Sequence, residues 1–253
     1  MKKQMRLLIL LLYTGSLLQG CDKQDGEEAT GPGFVSGRVT NVQGQPLQGA
    51  EIVVRHVFSH QTILKAVTGK KGKYSIALPP EQERDEWTVN GNYKLIYDGK
   101  EYIMELDGDL RAPFSGSTGA VVNFVLKQSG RQPSGGPGAP GRFFGGVISC
   151  YPGDGADMSK VTITARPIQP LIDGSMAQTK TLRPELEADL SWVVNVPIGL
   201  YEISARESNT TLYLRDYTRG IPDSGVTRLV RQFEPCPVNG AGYWIKFDVL
   251  KNQ

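Results

Sequence analysis

Three observations predict an all-β fold of two tandem antiparallel sandwiches. Apolar residues recur at every second position in short runs: Val35, Gly37 and Val39; Ile52 and Val54; Tyr74, Ile76 and Leu78. That period belongs to strands with one buried face. The chain has 30 Gly and 16 Pro in 253 residues, which fits many turns and a linker rather than helices. A Gly/Pro-rich stretch at 129–142 divides the chain into halves whose apolar runs echo each other.

The N-terminus comes first. Residues 1–20 read as a secretory signal, with Lys2, Lys3 and Arg6 as the charged start and Leu7 to Tyr13 as the apolar core. The apolar run is too short for a spanning helix. It closes on Leu18-Gln19-Gly20-Cys21, which resembles a bacterial lipobox. The resemblance implies cleavage before Cys21 and lipidation of its thiol. The alternative is an ordinary signal with a chance cysteine. Acyl chains anchor durably, since each buried methylene contributes ~0.8 kcal/mol. The expected location is therefore the bacterial cell envelope, lipid-anchored in the outer membrane on its periplasmic or surface face. Residues 21–32 hold no apolar run and read as a flexible tether. The acidic residues at 22, 25, 27 and 28 resemble export signals of Bacteroidetes surface lipoproteins, or form a solvated spacer.

The first sandwich is expected over residues 33–128. Gly37-Arg38-Val39 opens it, and Gly44-Gln45-Pro46 turns the chain into Ala50–Val54. Gly69 and Gly72 sit where turns favour positive φ. Tyr74 to Pro79 is the next strand, and Glu81 to Asn92 reads as a polar insertion containing Trp87. Tyr93–Tyr97 and Tyr102–Leu106 flank Asp98-Gly99, a hairpin signal lengthened by Lys100 and Glu101. Val121 to Lys127 closes the module. Gly37-x-Val39, Gly44-x-Pro46-Leu47-x-Gly49-Ala50 and Gly72-x-Tyr74-x-Ile76-x-Leu78-Pro79 resemble the carboxypeptidase regulatory-like family, a transthyretin-like sandwich. The resemblance covers about residues 33–128 and implies an accessory domain rather than a catalytic one. Lys70 and Lys71 stand where that family carries an acidic turn, so no acidic turn site carries over.

Residues 129–142 read as a linker, flexible at its glycines and stiffened at its prolines, that lets the modules orient separately. The second, diverged sandwich is expected over residues 143–253. Gly145-Gly146-Val147 echoes Gly37-Arg38-Val39, and Val161–Ala165 echoes Ala50–Val54. Trp192 to Pro197 echoes Tyr74 to Pro79, Gly199–Ile203 echoes Asn92–Leu95, and Phe247–Lys251 echoes Phe124–Lys127. Five echoes in one order argue for tandem copies, each with its own core.

The inventory argues against catalysis. The net charge of +2 is spread along the chain, which gives no nucleic-acid face. His56 and His60 lie on a strand or its end, where residues four apart stand ~13 Å apart and cannot share a metal. With no further histidine, a nucleophilic triad lacks its base. Glu185, Glu187 and Asp189 read as a solvated loop rather than a glycosidase pair. Asp107-Gly108-Asp109 and Asp154-Gly155-Ala156-Asp157 read as turns rather than calcium sites. No catalytic residue, metal or cofactor is expected.

Aromatic side chains and cysteines remain. Trp87, Tyr213 and Tyr217 sit in polar segments and are the candidate ligand contacts, with rim packing as the alternative for Trp87. Trp192 and Trp244 follow the strand period and are expected in the core. Cys150 ends the first strand of the second module and Cys236 precedes its last. First and last strands of a sandwich often neighbour each other, so a disulfide is expected, worth roughly 4 kcal/mol at most. The function these features imply is non-catalytic, binding or structural, with a carbohydrate-binding surface lipoprotein as the alternative and an uncharacterised hydrolase third. The partners are the membrane, through the anchor, and a glycan or envelope protein. Exposed rings clustered on one face would favour a glycan; an exposed edge strand would favour a protein.

Overall fold

A computed structural model describes residues 29–59, 62–80, 85–132, 143–187, 190–216, 224–236 and 242–252. The signal segment, Cys21, His60, Asp189, Tyr217 and residues 133–142 of the expected linker lie outside the described residues. No described helix is long and apolar enough to cross a membrane.

The N-terminal half contains β1 (Phe34–Asn41), β2 (Glu51–His56), β3 (Ile63–Val67), β4 (Lys73–Ala77), β5 (Glu86–Tyr97) and β6 (Lys100–Glu105). Three two-residue ladders follow, β7 (Asp107–Gly108), β8 (Phe114–Ser115) and β9 (Ala120–Val121), and then β10 (Phe124–Leu126). One sheet runs β4-β1-β10-β7 and the facing sheet β3-β2-β5-β6. Val35, Val39, Tyr74 and Phe124 point inward from the first, and Ile52, Val54, Trp87 and Tyr102 from the second. Alternation therefore places the core where the sequence put it.

The C-terminal half contains β11 (Gly146–Pro152), a 3-10 turn at Met158–Lys160, β12 (Val161–Pro167), β13 (Lys180–Leu182), β14 (Glu185–Glu187) and β15 (Leu190–Val196). It continues with β16 (Leu200–Glu207), β17 (Thr210–Thr211), β18 (Tyr213–Arg215), β19 (Leu229–Gln232), β20 (Glu234–Pro235) and β21 (Tyr243–Leu250). Its sheets run β14-β15-β11-β21-β18 and β13-β12-β16-β17. In both halves the opening strand pairs parallel with the closing strand: Val39 faces Phe124, and Cys150 faces Phe247. In both it also pairs antiparallel with the strand that carries the aromatic-to-proline step.

The equivalence holds by element and slips by residue. Pairing with Phe124 and Phe247 makes Cys150, not Val147, the counterpart of Val39. It makes Ile148 the counterpart of Gly37. In the first half Gly37 faces Tyr74, and a Cβ on Gly37 would stand 3.2 Å from the Tyr74 ring and 1.9 Å from the Val122 carbonyl oxygen. In the second half Ile148 faces Val193. A glycine–tyrosine pair and an isoleucine–valine pair thus fill the same core layer.

Two expected segments differ. The hairpin at Asp98-Gly99 is a two-residue turn, because Tyr97 pairs directly with Lys100. Asp98 and Gly99 take φ of 46° and 75°, the geometry that suits twisted hairpins. The expected polar insertion is strand from Glu86 onward. Trp87, Val89 and Gly91 alternate inward along β5, a pattern hidden behind the charges of Glu81 to Glu86.

The two halves are tied rather than separately oriented. The Tyr97 hydroxyl donates to the Pro170 carbonyl at 2.8 Å and accepts from Leu200 N–H at 3.1 Å. The Tyr102 hydroxyl donates to the Phe233 carbonyl at 2.7 Å. The Tyr243 hydroxyl accepts from Ile103 N–H at 2.7 Å and donates to the Ile103 carbonyl at 3.1 Å. Gln232 Nε2 donates to the Tyr97 carbonyl, and Ile198 N–H donates to Gln128 Oε1. A linker composition describes only the connection; these complementary surfaces decide the orientation. At the linker's described ends, Arg131 bridges to Phe143 and stacks its guanidinium 5.4 Å from that ring.

Candidate functional site

Trp87, an expected ligand contact, is a core residue. It is fully buried, its indole N–H donates to Asp85 Oδ1 at 2.7 Å, and its ring meets His56 edge-on at 4.9 Å. Asp85 also accepts from Ser117 N–H and the Ser115 hydroxyl. The indole N–H, with these further donors, holds the Asp85 carboxyl below its usual range. His56 accepts two backbone N–H groups at Nδ1, from Phe58 and Ser59. The pair closes the end of the sandwich and presents nothing to a ligand.

The expected disulfide does not form. Cys150 is a buried thiol facing Phe247. Cys236 N–H donates to the Gly242 carbonyl, five residues away along β21 from Phe247. At ~3.3 Å per residue the two cysteines are ~16 Å apart along the strand, against the 7 Å limit for bridged Cα atoms. First and last strands do neighbour each other, as expected, but Cys150 sits within their pairing while Cys236 lies beyond the N-terminal end of β21. Burial pushes the Cys150 thiol pKa up.

The acidic clusters serve the fold. Asp107 pairs with Lys127 and Arg111, and Asp109 accepts from both Asn123 nitrogens. Asp157 caps the 3-10 turn through Ser159 N–H, and its bonds with Lys160 and Ser159 lower its carboxyl to about 2. Glu185 lies on β14, exposed. Among the described residues, no three His, Cys, Asp or Glu side chains are placed to hold a metal.

Trp192 and Trp244, expected in the core, lie half-exposed on the outward face of the β14-β15-β11-β21-β18 sheet. The cause at Trp192 is a bulge. Gly146 pairs with Val196 and Ile148 with Val193, so the register shifts between them, and Asn195 takes φ of 63°. One extra residue reverses the inward–outward order of everything before it. Val196 keeps the inward position of Leu78, while Val193 turns in and Trp192 turns out. Trp244 faces outward because Ile245, Phe247 and Val249 point into the core.

The face has a definite layout. Ser149 on β11 pairs with Trp192 on one side and Lys246 on the other. Ser149 is only 9% exposed, so its flanking side chains lean over it as walls over a floor. Lys246 Nζ stands 5.1 Å from the Tyr151 ring centre and 5.7 Å from the Trp244 ring centre. Such distances are those of cation–π contact. Tyr213, an expected contact, lies at the margin on β18, half-buried. Beside Trp244 and Lys246 opens a cleft lined by Asp216, Arg231, Gln232 and Glu234. Sequence reasoning missed Tyr151, Trp192, Trp244 and Lys246; the available signal was the spacing Trp244-x-Lys246 opposite inward Ile245 and Phe247.

No family model matches the chain, and no curated protein matches it. Solved structures to which the chain is similar include the Bacillus anthracis TIE protein, at 12% identity and TM-score 0.34, covering 87% of this chain and 34% of that one. A streptococcal ancillary pilin matches at 9% identity and TM-score 0.27, covering 85% of this chain and 62% of that one. The shaft pilin SpaA of Lactobacillus rhamnosus GG matches at 10% identity and TM-score 0.26, covering 88% and 99%. The chain thus spans about a third of the TIE protein's length and less than two thirds of the ancillary pilin's.

Proposed function

We propose that the protein is a non-catalytic, lipid-anchored envelope protein that binds through the outward face of its C-terminal sandwich. The observation that carries this reading is the cluster of half-exposed Trp192, Trp244 and Tyr151 around Lys246. Large rings on an outward face are contact surface at low entropy cost. The leader ending in Cys21 supports anchoring to the outer membrane, and residues 21–32 then serve as the tether. The motifs over 33–128 support assignment of the first half to the carboxypeptidase regulatory-like group, and the matched strand order supports tandem copies. The first half, tied to the second by three tyrosines, acts as a spacer that presents the binding face away from the lipid. Cys21→Ala in the full chain is expected to release the protein from membranes and remove the lipid mass from the N-terminal peptide. Retention of that variant in the membrane fraction refutes the anchor. For the face, Trp192→Ala is expected to reduce capture of the protein by isolated envelope polymers at unchanged folding; undiminished capture refutes the site.

A further inference from the structure

We infer that the ligand of this face is a carboxylate-bearing glycan, held by stacking on Trp192, Trp244 and Tyr151 and by an ion pair to Lys246. The inference rests on the binding-face reading above and adds its chemistry. Backbone donors and acceptors of β15, β11 and β21 are spent on their neighbours, so strand addition is closed here and recognition falls to side chains. Trp192 and Lys246 stand on one level, two strands apart, which is ~10 Å between backbones. Ser149 forms the floor between them. Tyr151 and Trp244 lie to either side of Lys246 along the strands. A polar floor between separated rings suits a molecule with apolar C–H faces and polar edges, as sugars have.

Charge selects among sugars. Three acids near the face are already matched. Asp248 pairs with Arg215 at 3.0 Å, Glu234 with Lys100 at 3.0 Å, and Asp216 with Arg231. Glu185 faces Trp192 from the edge strand, three strands or ~14 Å from Lys246. Among the described residues no carboxylate pairs with Lys246, which is exposed. The two rings lie within cation–π reach of its ammonium, a contact worth ~0.5–1 kcal/mol at exposed sites. Among the described residues the centre of the platform is thus a cation that no carboxylate pairs, complementary to a uronate carboxylate.

The test uses the mature chain with polygalacturonate, fully methyl-esterified polygalacturonate and polyglutamate as probes. Polygalacturonate is expected to bind best, at least tenfold more tightly than its methyl ester, and to weaken with salt. Lys246→Gln is expected to erase that tenfold preference while leaving the thermal transition in place. Trp192→Ala is expected to weaken both polysaccharides. Polyglutamate binding as tight as polygalacturonate overturns the inference in favour of an acidic peptide. Equal binding of both polysaccharides, lost in Trp192→Ala and indifferent to Lys246→Gln, overturns the acidic ligand and leaves the binding face standing. No binding of any probe, with Trp192 fluorescence unchanged, overturns both.

Discussion

The first sheets of the two halves share a strand order and present opposite surfaces. In the N-terminal half the outward side of β4-β1-β10 carries Ser36, Arg38, Lys73 and Ser75, with Phe34 at its end. In the C-terminal half the same side of β15-β11-β21 carries Trp192, Tyr151, Trp244 and Lys246. Tyr74 and Trp192 occupy matching places in the sequence step to proline, yet one is core and the other surface. A sandwich can thus turn one ring outward without changing its topology, by inserting one residue in one strand, while the rest of the face changes by sequence alone.

Removing a core ring from the first half and the outward ring from the second gives the largest expected separation. Trp87→Ala deletes a fully buried indole and is expected to cost about 3–5 kcal/mol, read by denaturant titration. Trp192→Ala removes a half-exposed ring and is expected to cost under about 1 kcal/mol. Equal losses at the two sites would break the assignment of one to core and one to surface.

The joint between the halves comes next. Changed to Phe, Tyr97 and Tyr243 each lose two cross-half hydroxyl bonds and Tyr102 loses one, at about 1 kcal/mol per bond. The triple variant is expected to split a single calorimetric transition into two. One unchanged transition would show that the halves are coupled by other contacts.

The bulge is a smaller and sharper test. The Asn195 side chain accepts from Gly130 N–H at 2.8 Å, and its φ of 63° disfavours most side chains. Asn195→Ala is expected to cost about 1–2 kcal/mol and to shift the tryptophan emission through Trp192. Unchanged emission would separate the bulge from the orientation of Trp192.

The dependence on pH is the smallest effect. Bonds to Lys160, Arg166 and Lys251 respectively lower Asp157, Glu202 and Glu207, all in the second half, while among the described residues the first half has only Asp85. Their folded-state pKa values lie below the unfolded ones, so this stability is present above pH ~4.5 and is lost as pH falls. The second half is expected to soften first in acid, by a modest amount, since exposed pairs are screened. On the alkaline side burial raises Tyr74, Tyr102 and Tyr201 above the model-peptide value of 10.0. Stability from these groups is present below pH 10 and lost as pH rises beyond it, which tyrosine absorbance reports. A profile flat from pH 3 to 11 would contradict both assignments.

Local periodicity made the all-β class and most of the core legible. Val35, Val39, Ile52, Val54, Tyr74 and Ile76 point inward as their alternation requires, because successive side chains of a strand must take opposite faces. The five echoed stretches fall on strands with matching pairing for the same reason. Other features depended on residues remote in sequence. Trp87 is core because β5 pairs with β2 along Glu51–His56, not because of its charged surroundings. Cys150 and Cys236 fail to meet because the register along β21 separates them. The halves are joined by tyrosines that composition marks only as aromatic. The outward turn of Trp192 follows from the bulge at Asn195, set by the pairing of β15 with β11. Alternation specifies which residues share a face; only the pairing in three dimensions decides which face is buried.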